Sequence, residues 1–256
     1  MIVAMDSGIG GASILKEVMK CAFNNEFVYF ADTKNSPYGN KTKKEIFDVV
    51  KHNVDFLLSK YKIDILILAC NTATSVCAKK FRQIYDFPIV GVEPPIKVAL
   101  EKGRKDVLVI ATKQTIKSNL TLKRFIKRKS VKIKLLPLKK LAKLIDQNVF
   151  NLGNTIPYLE KKIHRKNYDA VVLGCTHYNF VKSELKKVLP CAEIVSCEEG
   201  VAKYTKKLCA NLSEKQHKVE ILLSEENETI RSFLEQYLIL DFSHSDSHPK
   251  TKSNLS

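Results

Sequence analysis

The chain of 256 residues contains no apolar run that reaches the roughly 18 residues needed to span a bilayer. It also lacks the basic start and small-residue cleavage site of a secretory leader. Its first residues, Met1-Ile-Val-Ala-Met5, read instead as a short strand, and a cytoplasmic protein is expected. No C-x-x-C pair occurs among its seven cysteines, an odd number, which disfavours both a disulfide framework and a zinc ribbon. Cys21, Cys77, Cys191, Cys197 and Cys209 are expected to be mostly small buried hydrophobes. The G-x-G-x-x-G fingerprint of a dinucleotide site is missing, as is a Walker phosphate loop. RNA-binding and helix-turn-helix signatures are missing too, and so are aromatics spaced to stack bases. These absences decide how the charge is read. A net charge of +16, densest from Lys117 to Lys143 around Lys123-Arg-Phe-Ile-Lys-Arg-Lys129, invites a nucleic-acid partner. Lysines are spread through the whole chain, however, as a solvated face, and no nucleic acid is expected. A basic surface can also steer an acidic small substrate.

What is present is an alternation of strand and helix. Short strand-like runs occur at Ile2–Met5, Phe27–Phe30, Ile63–Ala69, Ile89–Val92, Val107–Ala111, Val131–Leu136, Ala170–Gly174, Glu193–Val195 and Val219–Leu223. Helical periodicity lies between them at Ser13–Cys21, Lys43–Lys60, Thr74–Tyr85 and Ser183–Val188, and later at Glu226–Tyr237. This pattern indicates βαβ units and parallel sheets. Runs apolar on both faces, such as Ile63–Leu68, fit a sheet covered on both sides.

The chain also repeats itself. Tyr61-Lys-Ile-Asp-Ile-Leu-Ile-Leu-Ala-Cys70 and Asn167-Tyr-Asp-Ala-Val-Val-Leu-Gly-Cys175 both read as a buried strand ending on cysteine, with an Asp six residues earlier. The offset between the cysteines is 175 − 70 = 105 residues, and the same shift places Ile2–Ser7 on Val107–Thr112 and Ser13 on Ser118. The fold expected is therefore α/β, with two similar domains of mostly parallel sheets related by pseudo-symmetry and an active site in the cleft between them. The boundaries expected are 1–95 plus 211–242 for the first domain and 96–210 for the second, with the Pro94-Pro95 break as the crossover. Residues 243–256 read as a polar tail.

Ligands of open α/β sheets bind at the carboxyl ends of the strands. Asp6-Ser7-Gly8-Ile9-Gly10-Gly11, Cys70-Asn71-Thr72-Ala73-Thr74, Thr112 with Thr115, and Cys175-Thr176-His177 all fall there. The glycine-rich turn exposes backbone N–H groups that can seat a carboxylate or phosphate. Two facing cysteines could be a metal pair, a redox pair or an acid–base pair. His177 alone does not complete a metal site. A redox pair would lack a C-x-x-C partner. An acid–base pair needs a helper for each thiol, because a free thiol titrates near ~8.5. Asp6 and His177 are the candidates.

Asp6-Ser7-Gly-x-Gly-Gly, Pro37-Tyr38-Gly39, Cys70-Asn-Thr-Ala-Thr74 and Gly174-Cys-Thr-His177, in this order, resemble the glutamate racemases of the cofactor-independent aspartate/glutamate racemase superfamily. The resemblance runs from residue 1 to about 240. It implies a two-base racemisation of glutamate, with Cys70 acting on the D-enantiomer and Cys175 on the L-enantiomer. Asp6 and His177 would assist, and Ser7, Tyr38, Gly39, Asn71, Thr72, Thr112, Thr115 and Thr176 would bind substrate. Neither pyridoxal phosphate nor a metal would be required. The family is commonly dimeric, and its product supplies peptidoglycan synthesis. One position departs from the pattern: where the family often has Glu, Leu144-Ile145-Asp146 carries a shorter acid. The His after Cys175-Thr176 favours glutamate over aspartate.

Overall fold

A computed structural model describes residues 1–126, 130–210 and 212–240. The expected tail at 243–256, and Lys127 to Lys129 of the basic stretch, lie outside the described residues. Among the described residues the strands are β1 (Ile2–Asp6), β2 (Glu26–Ala31), β3 (Ile65–Leu68), β4 (Ile89–Gly91), β5 (Asp106–Ala111), β6 (Lys132–Pro137), β7 (Ala170–Gly174), β8 (Glu193–Val195) and β9 (Lys218–Leu223). The helices are α1 (Ala12–Cys21), α2 (Lys43–Lys60), α3 (Asn71–Ile84), α4 (Ile96–Glu101), α5 (Lys113–Ser118), α6 (Leu120–Ile126), α7 (Leu141–Gln147), α8 (Ile156–Lys162), α9 (Lys182–Val188), α10 (Glu198–Cys209) and α11 (Glu228–Glu235).

The strands form two sheets, ordered β4-β3-β1-β2-β9 and β6-β5-β7-β8. Every pairing described is parallel. Read from the opposite edge, the second sheet repeats the order of the first, with β5, β6, β7 and β8 in the places of β1, β2, β3 and β4. The register repeats too. Ile2 pairs with Ile65, and Val107 with Ala170, an offset of 105 for both members of the pair (107 − 2 and 170 − 65). Leu66 with Ile89 becomes Val171 with Ile194 at the same offset (171 − 66 and 194 − 89). Ile2 pairs with Phe27, whereas Val107 pairs with Ile133, so the second half gains one residue before β6 (133 − 27 = 106).

The repeated aspartates have a structural use. Asp64 holds the Met1 amino group at the start of β1. Asp169 accepts the backbone N–H of Asp106 at 2.9 Å at the start of β5. The same carboxylate thus closes the amino edge of each sheet.

Side chains of β1 alternate between two cores, as the period of two requires. Val3 and Met5 face the core made with α2 and α3, where Val50, Val54, Leu57 and Phe81 are buried. Ile2 and Ala4 join a core that also contains Leu108 and Ile110 of β5 and Leu173 of β7. One apolar interior therefore runs through both halves. The chain's last described segment closes it. β9 pairs with β2, and Ile230, Leu234 and Leu238 of α11 and the π-helical turn after it (Gln236–Leu240) enter the shared core. No helix among the described residues is long and apolar enough to cross a membrane.

Candidate active site

Both cysteines stand where a strand hands over to a helix. Cys70 is the residue before α3, and Cys175 precedes a 3-10 turn at Thr176–Val181. Both are 7% exposed, so each thiol sits in a nearly closed centre. Their halves meet directly. The Thr176 hydroxyl, from the second half, donates to Asp6 Oδ2 at 2.9 Å. Gly8 N–H donates to the other oxygen, Asp6 Oδ1, at 2.8 Å.

The two thiols have different surroundings. Ser7 Oγ lies 4.0 Å from Cys70 Sγ, and His177 Nδ1 lies 4.0 Å from Cys175 Sγ. Burial pushes the Cys70 thiol up to about 12, and the charges of Asp6 and Cys175 add to the rise. Burial also raises Asp6, against the opposing pull of His177 and the bonds from Gly8 and Thr176. For His177, burial resists a positive charge, but the Asp146 carboxylate, the contact with Cys175 and the charge of Asp6 outweigh it. The imidazole is held well above its ordinary value. Asp146 Oδ1 lies 3.1 Å from His177 Nε2, so the shorter acid does reach the histidine. The pair is an ion contact with poor hydrogen-bond alignment, and both atoms lack another partner.

Close approach of the halves depends on glycine. A Cβ on Gly10 would fall 2.6 Å from the His177 backbone nitrogen and 2.6 Å from Thr176 Oγ1. A Cβ on Gly39 would fall 2.8 Å from Thr112 Cβ. Gly39 therefore seats the first-half loop against the second half. Around it, the hydroxyls of Thr72, Thr112 and Thr115 form a ring: Thr72 to Thr112 at 2.9 Å, Thr72 to Thr115 at 3.1 Å and Thr112 to Thr115 at 2.9 Å. Thr112 also caps α5 by accepting the Thr115 N–H at 3.0 Å. Asn71 donates through Nδ2 to Val92 O at 2.9 Å, which leaves its buried Oδ1 as an unpaired acceptor.

Tyr38 is buried, and its hydroxyl is already engaged: it donates to Asp32 Oδ2 at 2.5 Å. Burial and that carboxylate keep the phenol well above its usual range. Asp32 is fully buried and also accepts from Asn53 at 2.8 Å, Ser224 at 2.7 Å and Asn35 at 3.0 Å. Sequence reasoning missed this support. Its signal was available, because Asp32 directly follows β2 at the same carboxyl edge as the other site residues.

Of the remaining cysteines, Cys77 is buried, while Cys21, Cys197 and Cys209 are partly exposed. Cys191 is exposed, against the expectation of burial, because it lies in the turn between α9 and β8. No cluster of three or more His, Cys, Asp or Glu among the described residues could hold a metal ion.

Two parallel sheets in pseudo-symmetric order, each presenting a strand-end cysteine to one buried centre, define a two-half α/β protein built around a pair of thiols. The chain belongs to the Asp/Glu/Hydantoin racemase family, which it matches over residues 22–204. It is 37% identical over 212 residues to a glutamate racemase of Halothermothrix orenii, covering 79% of this chain and 82% of the relative. It is 38% identical over 220 residues to a glutamate racemase of Campylobacter curvus, covering 81% of each. It also superimposes on an Escherichia coli glutamate racemase, solved with L-glutamate and the activator UDP-MurNAc-ala. That match has a TM-score of 0.81 at 25% identity, over 95% of this chain and 94% of the other.

Proposed function

We propose that the protein is a glutamate racemase that interconverts L- and D-glutamate by proton transfer at Cα between Cys70 and Cys175. The observation that carries this reading is the pair of thiols, one from each repeat, each 7% exposed at the carboxyl end of its strand where the Thr176–Asp6 bond joins the halves. Racemisation must remove a proton from one face of a carbon and return one to the other. Two similar groups in pseudo-symmetric places meet that need, and neither pyridoxal phosphate nor a metal is called for.

Cys70, kept protonated by burial and by Asp6, is the donor when Cys175 takes the proton of L-glutamate. In the reverse direction Cys70 takes the proton of D-glutamate, with Asp6 as its proton relay. His177, 4.0 Å from Cys175 Sγ, is the relay on the other side. The unpaired Asn71 Oδ1 is an acceptor for the substrate ammonium. Ser7, Thr72, Thr112, Thr115 and Thr176 supply hydroxyls for its carboxylates. Tyr38, whose hydroxyl is committed to Asp32, contributes through its ring and backbone beside Gly39. The two sheets act as two domains, 1–95 plus 211–242 and 96–210, around this centre. We place the enzyme in the cytoplasm as a homodimer supplying D-glutamate for peptidoglycan.

A circular-dichroism assay of the purified protein on L-glutamate beside L-aspartate tests the reading. Loss of optical activity with glutamate, and little with aspartate, is expected. Racemisation of aspartate alone would contradict it.

A further inference from the structure

The lysine-rich stretch takes no part in the reaction above. Two of its members, Lys139 and Lys140, follow β6, the edge strand of the second sheet. With Lys161 and Lys162 of α8 they surround a cavity of about 320 Å³, whose other walls are Pro137 and Tyr158. No carboxylate lines this cavity. All four lysines are exposed, and among the described residues none of the four is held in an ion pair. The Tyr158 hydroxyl accepts the Lys140 backbone N–H at 3.3 Å, which fixes the loop against α8 and leaves the phenol proton free to be donated.

Four ammonium groups around one concavity repel each other, and a concave wall focuses their field outward. The arrangement favours a ligand that brings several negative charges into a small volume. Lysine is a point donor without the planar fork of arginine, and it suits the many oxygens of phosphate. The cavity is at the small end of ligand pockets, which run from roughly 300 to 1,000 Å³. Tyr158 is the single aromatic in its lining, short of the row of platforms on which successive bases of a single strand stack. We propose that this cavity binds a small anion carrying two or more phosphate groups, held by Lys139, Lys140, Lys161 and Lys162.

The loop is tied to the candidate active site at two points. Leu138 O accepts the Tyr178 hydroxyl at 3.0 Å, next to His177. Lys140 leads into α7, which carries Asp146. An anion that shifts this loop would therefore move the carboxylate that faces His177.

The test is titration calorimetry of the full chain with inorganic pyrophosphate at low salt. Binding is read directly, so the outcome does not depend on racemase activity. Saturable one-to-one binding is expected, weakened about tenfold or more by Lys139→Gln with Lys161→Gln. Lys44→Gln with Lys79→Gln removes the same charge from the first half and should change affinity less than about twofold. An equal loss in that control would overturn the proposal, because net charge alone would explain the binding. Absence of saturable binding would overturn it as well. So would an oligonucleotide that binds more tightly than pyrophosphate through the same lysines, since the surface would then be a nucleic-acid contact.

Discussion

Asp146 carries more of the site than its short side chain suggests. It faces His177 Nε2 at 3.1 Å, and its charge is the chief reason that histidine is raised despite burial. The sign of the stability effect follows. A histidine whose folded pKa is raised contributes stability that is fully present below its unfolded value near ~6.5. That contribution is lost as pH rises through the folded value, which here lies well above the ordinary one. Asp146→Asn should cost on the order of 1–3 kcal/mol near pH 6 and progressively less in alkali. Thermal denaturation from pH 5.5 to 10 reads this directly, and a deficit that stays constant over that range would contradict it. The same substitution should also lower racemisation, because His177 loses its counter-charge. Asp146 shows what sequence alone could not give, since the sequence revealed a shorter acid but not whether the α7 backbone brings it close enough. Asp32 is the opposite case. Its place at a strand end was legible, yet only the fold shows four donors converging on it.

At the scale of elements, the strands were legible because buried parallel strands are short, β-branched and apolar on both faces. The edges were less so. Ile63 and Asp64 look like the start of β3, but the strand begins at Ile65, because Asp64 is turned to the Met1 amine. α3 starts at Asn71 rather than Thr74, which makes Cys70 the residue that opens the helix. α11 starts at Glu228 because Asn227 caps it, accepting the Ile230 N–H at 3.0 Å. α2 begins with a full capping box, Thr42 with Glu45. Thr42→Ala should cost about 1 kcal/mol and lower the melting temperature by roughly 2–4 °C. Activity should be unchanged, because Thr42 stands at the start of α2, about three turns from Asn53, through which the helix supports Asp32 and Tyr38; a large loss of activity at full occupancy of the fold would show otherwise. Gly10→Ala is a harsher change. Its Cβ meets the backbone of His177, which cannot swing aside, so a loss of about 1–3 kcal/mol is expected together with reduced racemisation. Wild-type melting and rate in Gly10→Ala would mean that the two halves stand further apart at this point.

For the molecule as a whole, the repeat was readable as an offset of 105 residues and reappears in the pairing of β1 with β3 and of β5 with β7. The shared core was not readable, because periodicity shows that a face is apolar and not which other face it meets. That core, the threonine ring and the Asp6–Thr176 bond hold the halves together over two thiols that are only 7% exposed. In the proposed reaction the repeat would supply one base for each face of the substrate's Cα. The most direct test follows L-glutamate in deuterium oxide with the wild-type protein, Cys70→Ala and Cys175→Ala, reading optical activity and Cα deuterium together. The wild-type protein should racemise the substrate and place deuterium at Cα of the product, and neither single variant should racemise it. Racemisation at the wild-type rate by either variant would contradict the two-thiol account.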